Sequence, residues 1–272
     1  NGQEGTSSIT ENGYTVKKSS TATYATSGNG TSYGGSRECG ELISYPVFKT
    51  NNYAYNLISV GDAYKIAKEI GTAKDMYGLN NVDSHLEKNS EWGAVAYLAH
   101  SKYGVNGQDK IAVNAKDKNN KPTGIHAVTS YGANDNNVNN VAASTTQNMS
   151  GVFDLSGGVW EYTATFLKGA SGTRYIAGMI DDPSTVTSSK YVTIYEGTYD
   201  QCKKVGDAVK ETSISGNGTG WNSDHAAFIN SSEAVISRGG LWASGVNAGI
   251  FAFGHYGGSS QNFSGFRATL VP

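Results

Sequence analysis

Residues 237–272, SRGGLWASGVNAGIFAFGHYGGSSQNFSGFRATLVP, are interrupted by glycine every few positions. Spacing of that kind leaves room for short β pieces joined by tight turns and for little else. The same grammar runs from residue 151. GVFDLSGGVWEYTATFL alternates and then breaks at glycines, and SKYVTIYEG alternates β-branched with aromatic residues. Two helical patterns precede this half. In SVGDAYKIAKEIG, Ala63, Ile66, Ala67 and Ile70 fall at i, i+3, i+4 and i+7, one apolar stripe. Ser59 is placed to cap its start with Asp62 three residues on, and Gly71 to close its end. In SHLEKNSEWGAVAYLAHSKYG, Ser84 and Glu87 fit a capping box, Val95, Leu98 and Ala99 mark the buried side, and Gly104 is the stop. Two early helices followed by irregular β structure predict an α+β fold.

Residues 1–38 read differently, as a polar Ser/Thr/Gly-rich extension that is either a tether or a set of edge strands. Residues 39–272 are expected to form one domain, with an Asn- and Lys-rich loop from about 105 to 150. The match to G-x-S-x-G at Gly30–Gly34 lacks the buried strand before it and the helix after it that a nucleophile elbow needs, and it is read as coincidence.

Several functions are disfavoured by composition. A net charge of −2 offers nothing to nucleic acid or to an anionic membrane. No apolar run approaches the roughly 18 residues of a membrane span. The chain opens without methionine or a signal-peptide pattern, as a mature or trimmed chain would. Its neutral polar character, rich in Gly, Asn, Ser and Thr, suits an extracellular or surface-exposed protein. Cys39 and Cys202, the only cysteines, either pair as one disulfide or are two unrelated buried thiols. His85, His100, His126, His225 and His255 are scattered singly, with no metal-ligand spacing, so no metal or cofactor is expected.

Four motifs in order then resemble one family. EWGAVAYLAHSKYG is similar to the E-W-x-x-A-A-x helix of the formylglycine-generating, sulfatase-modifying enzymes. NMSGVFDLSGGVWEYT resembles their N-x-x-G-[LV]-x-D-M-S-G-N-V-W-E-W signature, SRGGLW their R-G-G-S-W, and SGFRATL their closing G-F-R. The match runs from about residue 56 to 270. It implies a C-type lectin-like fold, two helices packed on irregular, twisted antiparallel β structure. Trp160 and Glu161 would then be structural, with Glu161 buried and paired to Arg267 or Arg238, since a buried carboxylate needs such a partner.

The resemblance also implies what is missing. The catalytic members carry an active-site cysteine pair after R-G-G, whereas residues 241–266 here contain no cysteine. The calcium motifs E-P-N and Q-P-D of glycan-binding C-type lectins are absent as well. What remains resembles the non-catalytic branch, the bacterial and phage variable proteins of diversity-generating retroelements. In those proteins a fixed scaffold displays a diversified C-terminal segment.

On that resemblance the variable ligand-binding segment spans about 238–267. Its ligand-binding positions are Leu241, Ala243, Ser244, Val246, Ala252, Gly254, His255, Tyr256, Ser259, Gln261, Phe263 and Ser264. Arg238, Phe251, Phe253, Phe266 and Arg267 are scaffold, and Trp242 belongs to the core edge. Tyr256, His255 and Phe263 are expected to face outward as aromatic anchors. The ligand would be a protein or glycan on a cell or phage surface. The alternatives are a non-diversifying structural or adhesion module of a phage fibre or appendage, and an oxidase of the formylglycine-generating class.

Overall fold

A computed structural model describes residues 2–3, 9–11, 14–16, 53–56, 58–72, 77–105, 111–114, 141–261 and 263–271. Most of the predicted N-terminal extension and the core of the predicted 105–150 loop lie outside the described residues. Within the extension, β1 (Gly2–Gln3) pairs antiparallel with β4 (Tyr53–Ala54), and β2 (Ile9–Glu11) with β3 (Tyr14–Val16).

Helix α1 covers Val60–Ile70, and its predicted stripe, Ala63, Ile66, Ala67 and Ile70, is fully buried. Ser59 caps it by accepting the Asp62 N–H at 3.2 Å. Gly71 ends it for a steric reason and not through a left-handed turn. Its φ is −68°, and a Cβ there would lie 1.9 Å from the Val82 carbonyl oxygen.

Helix α2 covers Asn89–His100 and departs from expectation in three ways. Its cap is one turn later than predicted: the Lys88 N–H donates to the Glu91 carboxylate at 2.8 Å. Ser84 lies instead in strand β5 (Asp83–Leu86), where its hydroxyl accepts the Gly71 N–H at 2.7 Å and ties the strand to the end of α1. The inward row is Asn89, Trp92, Gly93, Ala96 and Ala99, while Leu98 is 61% exposed. Small residues can line the buried face because α2 lies close to its neighbours; a Cβ on Gly93 would come within 2.5 Å of the Asp207 backbone. The helix also stops four residues before Gly104, which sits in the turn that follows.

The principal sheet has six strands, short as the glycine spacing requires. They are β6 (Trp160–Tyr162), β9 (Asn217–Thr219), β10 (His225–Ala227), β11 (Val235–Gly239), β12 (Gly249–Tyr256) and β13 (Ser264–Phe266), in the spatial order β13-β6-β11-β12-β10-β9. Two smaller pairs flank it, β5 with β14 (Ala268–Val271), and β7 (Thr165–Leu167) with β8 (Thr193–Tyr195). Pairing is mostly antiparallel, but β6–β13, β10–β12 and β7–β8 run parallel. The architecture is α+β.

Among the described residues, buried apolar side chains form two clusters, one around α1 and one around α2. They are not separable bodies, because β12 contributes Phe253 to the first and Ile250 and Phe251 to the second. Fully buried Arg238 spans the boundary, its Nε donating to Asn89 at 2.6 Å and Nη1 to the Ala208 carbonyl at 3.1 Å.

Candidate functional site

Strand β6 presents Glu161 to Arg267 across the parallel β6–β13 edge. Arg267 donates from Nε at 2.9 Å and from Nη2 at 2.8 Å, a two-point carboxylate clamp. Its Nη2 also donates to the Phe153 carbonyl at 3.0 Å. Of the two arginines expected as partner, Arg267 is the one. Arg238 is register-paired with Glu161 but sends its guanidinium to Asn89, Asp207 and Ala208. Glu161 retains some exposure, 12% of its side chain, so it is not sealed in the core. Glu87 is the sealed carboxylate: it lies 3.8 Å from Arg267, and burial pushes its pKa up to about 8 against the pull of that arginine.

Four of the twelve predicted ligand-binding positions, Ser244, Gly254, His255 and Tyr256, line one open cleft of about 410 Å³. Strands β10 and β12 run parallel, with Ala226 beside Phe253, so His225 and Ala227 of one line the cleft with Gly254, His255 and Tyr256 of the other. The turn after β11 adds Ser244 and Asn247, the loop before β11 adds Glu233, and Trp160 completes the lining. Gly254 lies against Trp160, and a Cβ there would meet its ring at 3.4 Å.

The cleft is polar and partly charged. Nδ1 of His255 is 2.7 Å from the Phe228 carbonyl and Nε2 is 3.2 Å from the Glu233 carboxylate. Both partners only accept, so both ring nitrogens must donate for both contacts to be hydrogen bonds. His225 lies edge-on to Trp160, centroids 5.8 Å apart. Burial, and then the proximity of His255, hold its pKa below the ordinary imidazole value. Burial, aided by Glu233, raises that of Tyr256.

Ala243 and Val246 are exposed, the latter at 74% within the 3-10 turn Gly245–Asn247. Leu241, Ser259, Gln261 and Phe263 are half-buried. The Ser244 hydroxyl also shapes the turn by accepting the Leu241 N–H at 3.0 Å. Two positions need correction. Ala252 and Ser264 have no accessible surface, Ala252 inside β12 opposite the irregularity at Arg238 and Gly239 and Ser264 at the β13–β6 pairing, so neither is displayed to a ligand. The outward expectation for Tyr256, His255 and Phe263 holds only in part. All three are half-buried, Tyr256 rests on the α1 cluster, and its ring stands 5.6 Å from that of Phe263. Trp242 is half-buried beside the turn, and Phe251, Phe253 and Phe266 are in the core.

Five lining residues were not among the predicted ligand-binding positions: His225, Ala227, Glu233, Asn247 and Trp160, the last expected to be structural. Only a parallel crossover brings β10 beside β12, and no local pattern in the sequence announces it. A second hollow of about 610 Å³, lined by Ser188, Cys202 and Lys204 among others, contains none of the predicted positions. Burial raises the Cys202 thiol, while Cys39 lies outside the described residues, and any pairing of the two with it. Among the described residues no three His, Cys, Asp or Glu side chains converge as metal ligands, and no helix is long and apolar enough to cross a membrane.

No curated protein matches this sequence. A family model, the Sulfatase-modifying factor enzyme 1-like domain, matches residues 10–270, beginning inside the stretch read as the extension. With nearly the whole chain matched and the α+β fold in place, the protein belongs to the sulfatase-modifying factor enzyme 1-like domain family.

Proposed function

We propose that this domain is a non-catalytic binding module whose recognition surface is the β10–β12 cleft and the turn 241–247 beside it. Its ligand is a protein or glycan on a cell or phage surface, met outside the cell, and the segment is diversified by a retroelement. The observation that carries the reading is an interleaving. Ser244, Gly254, His255 and Tyr256 meet in one cleft, while Arg238, Phe251, Phe253 and Phe266 of the same segment are buried. A buried framework that fixes the backbone lets exposed positions vary at small cost to folding, and it lowers the ordering cost of binding.

The copper–thiolate chemistry of the family's catalytic branch does not fit the residues present. No cysteine follows Arg238, and Cys202 is buried in the α1 cluster, outside the cleft lining.

The decisive test is genomic. The coding DNA for residues 238–267 should have a near-repeat nearby that differs at adenines, beside a reverse-transcriptase gene. Absence of both would leave a fixed adhesion or fibre module. Turnover of a cysteine-containing sulfatase peptide with copper and oxygen would overturn the non-catalytic reading.

A further inference from the structure

The tip of the β9–β10 hairpin carries an aromatic surface outside the cleft. Trp221 begins the 3-10 turn Trp221–Ser223 and is 43% exposed. Its ring packs on three neighbours, with centroids 5.2 Å from Phe251, 5.6 Å from His100 and 6.3 Å from Tyr97. The backbone is pinned as well. The Trp221 N–H donates to the Thr212 carbonyl at 2.8 Å, and the Asp224 N–H returns to the Trp221 carbonyl at 3.0 Å. The buried Asp224 carboxylate then accepts the Phe251 N–H at 3.0 Å, locking the tip to the start of β12. The indole is thus held partly in solvent by a rigid mount.

The mount is strained. Asn222 and Ser223 follow Trp221 with φ of 58° and 65°, two consecutive non-glycine residues in the left-handed region. Asparagine tolerates that region, serine much less so, and glycine would relieve it. Strain kept on an exposed tip is a signature of function more than of stability.

The surroundings indicate what the tip meets. From Thr212 to Ser223 the chain has no charged residue, and Asn217, Thr219, Asn222 and Ser223 are exposed. Nearby acids are already engaged. Asp224 is buried, and Glu211 accepts the Gly206 N–H and, after burial, helps push the Tyr97 pKa up to about 12. An aromatic ring bordered by neutral amides and hydroxyls complements a sugar ring, which offers C–H groups on its face and hydroxyls at its edge. Protein-binding hot spots instead gather further large apolar or arginine side chains around a tryptophan. Within this stretch only Ile214 is of that kind.

We propose that the β9–β10 tip is a carbohydrate site separate from the cleft, where Trp221 stacks on a neutral sugar ring and Asn222 and Ser223 hydrogen-bond its hydroxyls. The site does not depend on the cleft reading.

The test uses the whole chain and a panel of cello-, chito-, malto- and manno-hexaose, with oligogalacturonate as the acidic control. Binding is read by calorimetry and by protection of tryptophan fluorescence from acrylamide in a Trp242→Phe background. Trp92 and Trp160 are buried, so quenching there reports Trp221. At least one neutral hexasaccharide should bind and protect. Trp221→Ala should weaken that binding at least tenfold and Asn222→Ala about threefold. Should Trp221→Ala not fold, the Asn222→Ala/Ser223→Ala double variant, with the indole intact, must show the loss. The proposal is overturned if no neutral hexasaccharide protects, or if only the acidic control binds.

Discussion

Arg267 holds Glu161 through two hydrogen bonds of 2.9 and 2.8 Å and stands 3.8 Å from the buried Glu87, so one guanidinium borders two carboxyl groups. The clamp joins β6 to the residue that follows β13, next to the segment that builds the cleft. Removing one member of a buried ion pair leaves the other uncompensated. Arg267→Met is therefore expected to destabilise the domain by about 3 kcal/mol, since the Glu161 carboxylate loses its cation and the Phe153 carbonyl loses a donor. Urea unfolding of the two proteins measures it, and a difference under about 1 kcal/mol would mean the clamp is ornamental.

Glu87 sets a pH dependence. Its carboxyl is raised from the ordinary 4.5 to about 8 in the fold, so the folded state holds the proton more tightly than the unfolded chain does. The sign follows by linkage: the contribution is complete below about pH 4.5 and fades as pH rises towards 8. Glu87→Gln, which mimics the protonated acid, should flatten the stability profile across that window. It should also be the more stable protein at pH 8.5, by about 1 kcal/mol or more. Melting curves at pH 5 and pH 8.5 decide; a variant that loses stability equally at both would show that the carboxylate is charged in the fold.

Phe253 and Val246 separate scaffold from display. Phe253 is fully buried and should cost about 3–5 kcal/mol on truncation to alanine. Val246 is 74% exposed, and its truncation should stay within about 0.5 kcal/mol. Tyr256→Ala should fall between them, because the ring both lines the cleft and rests on the α1 cluster. Thermal melts of the three single variants test the order, and Tyr256 behaving like Val246 would place its ring wholly on the surface.

Much of this was legible in the sequence, because it depends on local rules. The α1 stripe, the Ser59 cap and the short glycine-bounded strands follow from periodicity and turn chemistry, whereas the pairing of Glu161 with an arginine was implied only by the family resemblance. What escaped depends on distant neighbours. The α2 row through Gly93 is set by the approach of Asp207, and the role of Ser84 by the end of α1. The inclusion of His225 and Glu233 in the cleft required the parallel β10–β12 pairing. Ala252 and Ser264 were misplaced for the opposite reason: a small residue in a glycine-rich segment looks alike in a turn and in the middle of a strand.

That ambiguity yields the last prediction, which concerns where variation is tolerated. Ala252 and Ser264 have no free surface, and packed interiors resist added volume at about 1–3 kcal/mol or more per overpacked site. Ala243 and Val246 face solvent, and Gly254 has room for a Cβ at 3.4 Å from Trp160 with no left-handed backbone to forbid one. A saturation library at these five positions, displayed on cells and sorted for protease resistance, should therefore divide. Positions 243 and 246 should accept nearly every residue, and 254 should accept small ones that make the cleft shallower. Positions 252 and 264 should accept only side chains close to the native size. If tyrosine at 252 survives sorting as often as tyrosine at 246, the strand that backs the cleft is not a fixed framework, and the division between scaffold and display fails with it.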